Sequence, residues 1–283
     1  MPSLSIITTC KGRLSHLKTS LPSFLAQENS EVIVVDYDCP DNTFDYVRTH
    51  FASVKVLKVE DRPYFNNWEA RNIGAAGASG NIIAFVDADT IISKDFSGWA
   101  IKNCHPGAYA KMPNAVSLQV HRDQSLSPGS NRFEGILILP KETFLKLGGY
   151  DDLLQGWGAG GDIDMVDRLE FHGEKRLLMP EALVERSIAH SDHDRIRFHK
   201  MGISVSHLTG LLYRVSKNSM MRIFAKEISR DDRLRLYQLA KDAAERPAAQ
   251  NSAKIELLVI SDKVQSSNYK IEQTITTKII WSQ

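Results

Sequence analysis

Asp87 and Asp89, with Ala88 between them, close the apolar climb in "NIIAFVDADTIISKDF", residues 81 to 96. Carboxylates at i and i+2 at a strand end can point to the same side and share one hard cation. Mg2+ or Mn2+ held this way keeps positions that suit phosphate oxygens. A DxD triplet is also an ordinary solvated strand-to-loop turn. The five apolar residues before it, Ile82 to Val86, put a metal-bridged diphosphate level with that plainer reading. Asp36 ends a similar run, "EVIVVD". It is either a turn or helix-start acid among the polar "DYDCPDNT", or a carboxylate that accepts the imide N–H of a uracil ring. His190, in "AHSDHD", is a candidate third protein ligand beside a DxD, with His193 and His199 as neighbouring alternatives. A nitrogen donor would shift the choice of metal toward Mn2+. Asp162 follows the glycine-rich "LLQGWGAGGDIDM" and opens a helical pattern. It fits a helix N-cap, and equally a base that takes a proton from a sugar hydroxyl. Trp157 fits either core packing or stacking on a pyranose face.

The elements that must position these residues alternate in the first half. "LSIITT" (4 to 9), "EVIVVD" (31 to 36), "VKVLKV" (54 to 59) and "IIAFVD" (82 to 87) read as strands. Between them, Leu14, Leu17, Leu21 and Phe24 recur at helical spacing, Phe44, Val47 and Phe51 share a face, and "NNWEARNIGAAGASG" is a small-residue helix closed by glycine. This βαβα rhythm predicts a mostly parallel sheet with helices on both faces, and ligands at the carboxyl ends of its strands. Asp36, Asp87 and Asp89 all fall at such ends. In the middle, "RDQSLSPGSN" (122 to 131) reads as a polar loop between "AVSLQV" and "GILILP" (135 to 140), and "KETFLKLGGY" as a helix stopped by Gly148 and Gly149.

Composition sets the frame. The chain has 283 residues, 42% hydrophobic and 24% charged, which is ordinary for a globular protein with a sizeable core. A net charge of +1 argues against a global attraction to nucleic acid or acidic membrane. Cys10, Cys39 and Cys104 lack metal-ligand spacing and read as reduced thiols of a cytoplasmic protein. "MPSLSIITT" has no basic n-region or long apolar segment, so no signal peptide is expected, and no run approaches the roughly 18 residues of a membrane span. Beyond residue 204 the pattern becomes helical and charged, then β-prone. "LLYRVSKNSMMRIFAKEI" (211 to 228) reads as a helix packed on the core with its lysines and arginines solvated, or as a membrane-surface helix at the inner face of the membrane.

Taken together and in order, these segments resemble the GT-A glycosyltransferases. "LSIITTCKGRLSHLKTSLPSFLAQ" is similar to the opening strand and helix of the family 2 members. "EVIVVDYDCPDNT" resembles their "VVDDGSxDxT", and "ARNIGAAGASGNIIAFVDADT" their "ARNxGxxxAxGxxIxFLDxD". "FEGILILPKETFLKLGGYDDLLQGWGAGGDIDMVDRL" looks like the acceptor half of β-1,4-galactosyltransferases and bacterial chondroitin-type polymerases. The resemblance spans roughly residues 3 to 195. It implies a Rossmann-like α/β GT-A domain over 1–203, with a nucleotide-sugar half to about 120 and an acceptor half to 203, followed by a C-terminal extension over 204–283.

Residue by residue, the resemblance implies that Thr9 and Arg13 line the nucleotide and Asp36 contacts uracil. Arg71 would stand near the nucleotide or diphosphate and Asp87 near the ribose or a metal-bound water. Asp89 and His190 would hold Mn2+ (or Mg2+). Trp157 would meet the acceptor or donor sugar, Gly161 and Asp164 would face the acceptor, and Asp162 would be the general base of an inverting transfer from a UDP-sugar to a glycan or glycoconjugate hydroxyl. Two departures bear on this. Gly161 replaces the acid that precedes the base in the family pattern, and "DYDC" stands where "DDGS" is usual. A retaining transferase, a sugar-nucleotide pyrophosphorylase and a catalytically silent carbohydrate-binding relative are the rival readings. The pyrophosphorylase would carry a glycine-rich, lysine-bearing loop after the first strand, which "TTCKGRLSH" matches poorly.

Overall fold

β1 (Leu4–Cys10) and β4 (Ile82–Phe85) are buried along their whole length, and β2 (Ser30–Tyr37) nearly so. Strands covered on both faces need continuous apolar runs rather than alternation, which is what these three segments supply. They belong to a seven-stranded sheet in the order β3-β2-β1-β4-β7-β6-β8, completed by β3 (Lys55–Val59), β6 (Ala108–Lys111), β7 (Leu137–Pro140) and β8 (Lys175–Leu178). β1 runs parallel to both β2 and β4; β7 runs antiparallel to β4 and β6. The structure, a computed structural model, describes residues 3–112, 135–189, 194, 196–246, 251–261 and 271–281. The expected loop at 122–131, the strand-like 115–120 and His190 and His193 lie outside them.

Alternate side chains of the strands feed two cores. Leu4 and Ile6 of β1, Val32 and Val34 of β2 and Ala84 of β4 pack with α1 (Leu14–Leu25) and α4 (Phe96–Asn103) through Leu17, Leu21, Phe24 and Phe96. Ile7, Ile33, Val35 and Phe85 face the other way. They pack with α3 (Asn67–Ala76), α5 (Lys141–Lys146) and α6 (Gly161–Phe171) through Ala70, Phe144, Met165 and Leu169. α3 starts where Asn66 Oδ1 accepts the N–H groups of Trp68 and Glu69, both at 3.2 Å. α2 (Thr43–His50) follows β2. The sheet winds from β1 outward to β2 and β3, then returns to β4 on the other side. That reversal between β1 and β4 is the switch point where open α/β sheets bind ligands, and Cys10, Asp36 and Asp87 stand at its carboxyl edge.

The chain divides into two compact units. The sheet lies in the first, Met1–Asp151 with Met165–Phe198; the second comprises Asp152–Asp164 and His199–Gln283. The second unit contains α7 (Ile203–Phe224), α8 (Arg230–Glu245) and an antiparallel pair of strands, β10 (Ser252–Ser261) and β11 (Ile271–Ile280). Leu212, Tyr213, Met221, Leu236 and Ala240 form its interior, and Ser216 Oγ shares a 2.7 Å hydrogen bond with Thr277 Oγ1 of β11. Of the basic residues in 211–228 that the sequence reading leaves in solvent, Arg222 and Lys226 are exposed, but two others correct it. Lys217 is fully buried and Arg214 nearly so. The cause is a buried carboxylate, Asp164, that gives Lys217 a counter-charge inside the unit. Among the described residues no helix is long and apolar enough to cross a membrane.

Candidate active site

The Asp87–Ala88–Asp89 turn is held by its own backbone. The Asp87 carbonyl accepts the Thr90 N–H at 3.0 Å, which closes the turn. The Ala88 carbonyl accepts the Ser20 hydroxyl of α1 at 2.6 Å. The Asp89 carbonyl accepts the Ile188 N–H at 2.7 Å. All three carbonyls therefore have donors, and the turn is tied to α1 and to the segment after β9 (Val184–Ser187). β9 itself pairs antiparallel with β5 (Thr90–Ile92) directly after the turn. Both carboxylates are half-buried rather than free in solvent.

Arg71 fixes the first of them. Its guanidinium donates from Nη2 to Asp87 Oδ1 at 2.7 Å and to the Gly135 carbonyl at 2.9 Å, and from Nη1 to Tyr150 Oη at 3.1 Å. The rings of Trp68, Phe85 and Tyr150 surround it at 5.4–5.5 Å. Arg71 is thus an interior residue that acts through Asp87. Gly135 completes the clamp, because a Cβ there would sit 1.8 Å from Asp87 Oδ2.

At the β1 and β2 ends, Thr9 Oγ1 donates to Asn67 Oδ1 at 2.7 Å. Asp36 is buried, and its two oxygens accept the N–H groups of Cys39 at 2.8 Å and Phe44 at 2.6 Å. One carboxylate so anchors the turn after β2 and the first turn of α2. Burial pushes its pKa up against the pull of these two amides and Lys58, and the net shift is upward. Each oxygen retains lone-pair capacity for a further donor. Arg13 stands at the start of α1, and its Nη1 is buried with no hydrogen-bond partner among the described residues. A guanidinium donor placed at a helix N-terminus beside the switch point is suited to an anion. Lys11 differs. Its ammonium donates to the carbonyls of Tyr37 (3.2 Å), Asp38 (2.6 Å) and Arg62 (2.7 Å), which accounts for its three protons.

The second unit holds the other candidates. Trp157 is 40% exposed at the crest of a loop in which Gly156, Gly158 and Gly160 all have positive φ. The Ser206 hydroxyl of α7 donates to the Trp157 carbonyl at 2.8 Å, and its oxygen is 3.3 Å from the Gln155 carbonyl. One turn on, Gly210 leaves room for the loop, since a Cβ there would lie 2.1 Å from the Ala159 carbonyl. Gly161 begins α6. Asp162 and Asp164 lie in its first turn, where the helix dipole favours acids. Asp162 is half-buried, Ile163 is exposed, and Asp164 is fully buried with its carboxylate paired to Lys217 Nζ. Asp164 is thus engaged inside the unit rather than presented to solvent.

Residues 5–101 match the model of glycosyl transferase family 2, and residues 120–208 match the N-terminal domain of galactosyltransferase. Two successive stretches of the chain are thus similar to glycosyltransferase families. Two curated relatives are validoxylamine A glucosyltransferases. The one from Streptomyces hygroscopicus subsp. jinggangensis is 24% identical over 223 residues, covering 61% of this chain and 52% of the relative. That from subsp. limoneus is also 24% identical, with 61% and 49% covered. The chain spans about half the length of the curated relatives it matches. Among solved structures, Staphylococcus aureus TarS residues 1–349 with UDP-GlcNAc superposes with a TM-score of 0.57 at 14% identity, covering 87% of this chain and 72% of that one. The Pyrobaculum calidifontis mannosyltransferase PcManGT, in complex with GDP-Man and Mn2+, gives 0.55 at 16% identity, with 87% and 70% covered. These structural likenesses show the fold, that of the GT-A group.

Several site residues escaped sequence reading. Ser20, Asn67, Gly135 and Tyr150 touch the DxD turn, Thr9 or Arg71 from distant positions, and Ser206 and Lys217 do the same for the Trp157 loop and α6. Single hydroxyls and amides carry no periodic signal. For Lys217, a cation at an apolar-face position of α7 was the available hint. Among the described residues no group of three His, Cys, Asp or Glu side chains could hold a metal.

Proposed function

We propose that this glycosyltransferase moves a hexosyl or N-acetylhexosaminyl group from a UDP-sugar to a hydroxyl of a glycan or glycoconjugate acceptor, with inversion. The observation that carries the reading is the DxD turn. Its three carbonyls are all engaged and Asp87 is clamped by Arg71, so the chain has built a rigid mount for two carboxylates at the switch point. Rigid placement of charged groups at the reacting centre is what transfer to a diphosphate-activated donor requires. The bound UDP-GlcNAc and GDP-Man of the two structural neighbours support a nucleotide-sugar donor, and the Mn2+ of one of them supports a divalent ion.

Hard carboxylate oxygens suit such an ion. Asp89 would hold it together with His190, which follows Ile188, the partner of the Asp89 carbonyl, by two residues. The bound ion would offset charge on the departing diphosphate. Arg13 would add its unmet Nη1 donor to the same anion. Asp36 would accept from the base and Thr9 would line it. Trp157 would stack on the acceptor sugar. Asp162 would take the proton from the acceptor hydroxyl, which attacks the anomeric carbon from the face opposite UDP. Such base assistance is typically worth about 10²–10⁴-fold.

Calorimetric titration of UDP with and without Mn2+, on wild type and Asp89→Ala, tests the donor half. Mn2+-dependent binding that disappears in the variant is the expected result, and metal-independent binding in both would sink it. For the acceptor half, Asp162→Asn should keep UDP binding and lose most turnover in a UDP-sugar screen. The anomeric proton of the product, read by NMR, separates inversion from retention.

A further inference from the structure

Two thiols meet beside the proposed nucleotide site. Cys10 ends β1 and Cys39 lies in the turn after β2, and their Sγ atoms are 3.9 Å apart. Cys10 is fully buried while Cys39 is part-exposed. The Cys39 sulfur accepts the Gly12 N–H at 3.1 Å and the Thr43 hydroxyl at 3.2 Å. Thr43 Oγ1 is also 3.2 Å from Cys10 Sγ. The Cys39 N–H, in turn, donates to Asp36 Oδ1. The geometry points to Cys10 and Cys39 as a modification site, a thiol pair that a hydroperoxide converts to a disulfide, with loss of nucleotide affinity in the oxidised form. The second clause rests on the donor-site reading above; the first does not.

The chemistry divides between the two residues. The Cys10 S–H is the first of the donors that draw the Cys39 pKa down to about 6, followed by the Thr43 hydroxyl and the backbone N–H groups of Asp41 and Gly12, against the opposing effect of burial. The same contact with Cys39, together with burial, raises the pKa of Cys10. Cys39, part-exposed and with its thiolate favoured, is therefore the attacking sulfur, and the buried Cys10 the resolving thiol. The Cys39 sulfur attacks a peroxide oxygen, the O–O bond breaks, and the departing hydroxide or alkoxide takes up a proton. This leaves a sulfenic acid on Cys39. The Cys10 sulfur then attacks the Cys39 sulfur, the S–O bond breaks, and hydroxide leaves with the Cys10 proton as water. Two thiols and one hydroperoxide give one disulfide, one alcohol (water, for hydrogen peroxide) and one water.

Closing the pair requires the sulfurs to come from 3.9 Å to about 2.05 Å. Cys39 must leave the Gly12 N–H to do so, and the turn that it shares with Asp36 must shift. The wall formed by Gly12, Asp36 and Cys39 is then displaced at the base-binding end of the site.

The test treats the full chain with hydrogen peroxide. The free-thiol count should fall from three to one, and peptide mapping should link Cys10 to Cys39 with Cys104 untouched. In Cys10→Ser, dimedone should trap a sulfenic acid on Cys39; Cys39→Ser should form no link. UDP titration should show at least a tenfold weaker affinity after oxidation, restored by dithiothreitol. An unchanged thiol count, or a link that involves Cys104, overturns the modification site. A Cys10–Cys39 link that leaves UDP affinity unchanged overturns the coupling. Failure of the reduced protein to bind UDP under any metal would instead refute the donor reading, while mapping still decides the disulfide.

Discussion

Arg71 Nη2 and Asp87 Oδ1 lie 2.7 Å apart, with the arginine side chain 2% exposed and the aspartate side chain 41%. A buried cation thus orients a carboxylate that looks outward from the carboxyl edge of the sheet. The pair divides labour, with the guanidinium in the aromatic interior and the carboxylate at the surface where a ligand can meet it. The same fork also reaches the Gly135 carbonyl and Tyr150.

Arg71→Lys keeps the charge and loses the fork. An ammonium cannot reach Asp87, Gly135 and Tyr150 together from one position. With charge-assisted bonds worth about 1.5–3 kcal/mol each, a loss of several kcal/mol in stability is expected, together with weakened UDP binding. Urea denaturation read beside UDP calorimetry checks both. A variant as stable as wild type would show that the guanidinium geometry is dispensable.

Gly135→Ala separates the carboxylate from the fold. The added methyl would lie 1.8 Å from Asp87 Oδ2, so Asp87 must swing away or the 135 backbone must yield. Either response disturbs one carboxylate of the turn while leaving the apolar core untouched. The expected outcome is a circular-dichroism spectrum like that of wild type with UDP affinity down about tenfold or more, as for other residues that support a site's ligating groups. Wild-type affinity in a folded variant would remove Asp87 from the donor site.

The sheet was legible because its residues obey local rules. Ile6, Val34 and Ile83 lie in runs whose apolar continuity already indicates a strand buried on both faces, and Asn66 caps α3 as its type suggests. The acids at strand ends were legible for the same reason. Their supports were not. Ser20 lies 68 residues from the Ala88 carbonyl that it holds, and Arg71 64 from Gly135. Contacts over such separations depend on the finished topology rather than on any spacing along the chain. Lys217 was misread for a related reason. Its charge argues for solvent, and the arrival of Asp164 beside it helps make its burial tolerable.

Lys217→Met removes the ammonium that faces the buried Asp164 carboxylate. Breaking one side of a buried pair costs about 3–5 kcal/mol, whereas replacing both partners with apolar groups is often near neutral. Lys217→Met alone should therefore be strongly destabilised, and Lys217→Met with Asp164→Leu should recover much of the loss. Urea midpoints of the two singles and the double form the cycle. Equal destabilisation in all three would mean that the pair does not act as a unit.

Ser206→Ala should loosen the Trp157 loop without unfolding α7. The lost bond to the Trp157 carbonyl is worth about 0.5–1.5 kcal/mol, too little to threaten the fold. Acrylamide quenching of Trp157, in a background where Trp68, Trp99 and Trp281 are replaced by Phe, should increase in the variant and return toward the starting value in Ser206→Thr. Unchanged quenching would show that Gly210 and the loop's own glycines suffice to set its conformation.

Glu31 makes one part of the stability depend on acid. Burial pushes its carboxyl up, but donors outweigh it: Ser5 Oγ at 2.5 Å, the Ser79 N–H at 2.5 Å and hydroxyl at 2.8 Å, and the Gly80 N–H at 3.3 Å. The net pKa lies below the ordinary 4.5. A carboxyl with a lowered pKa in the folded chain binds fewer protons there than in the unfolded chain. Its contribution is complete above the ordinary value and is lost as pH falls through the lowered one. This carboxylate joins β2 to the turn that leads into β4, so its protonation loosens the entry to the strand that carries the DxD turn. The urea midpoint of wild type should exceed that of Glu31→Gln at about pH 6, and the gap should narrow as pH drops through the acid range toward about pH 3. A gap that stays constant over that range would mean that the carboxylate's charge adds nothing beyond the hydrogen bonds that an amide can also accept.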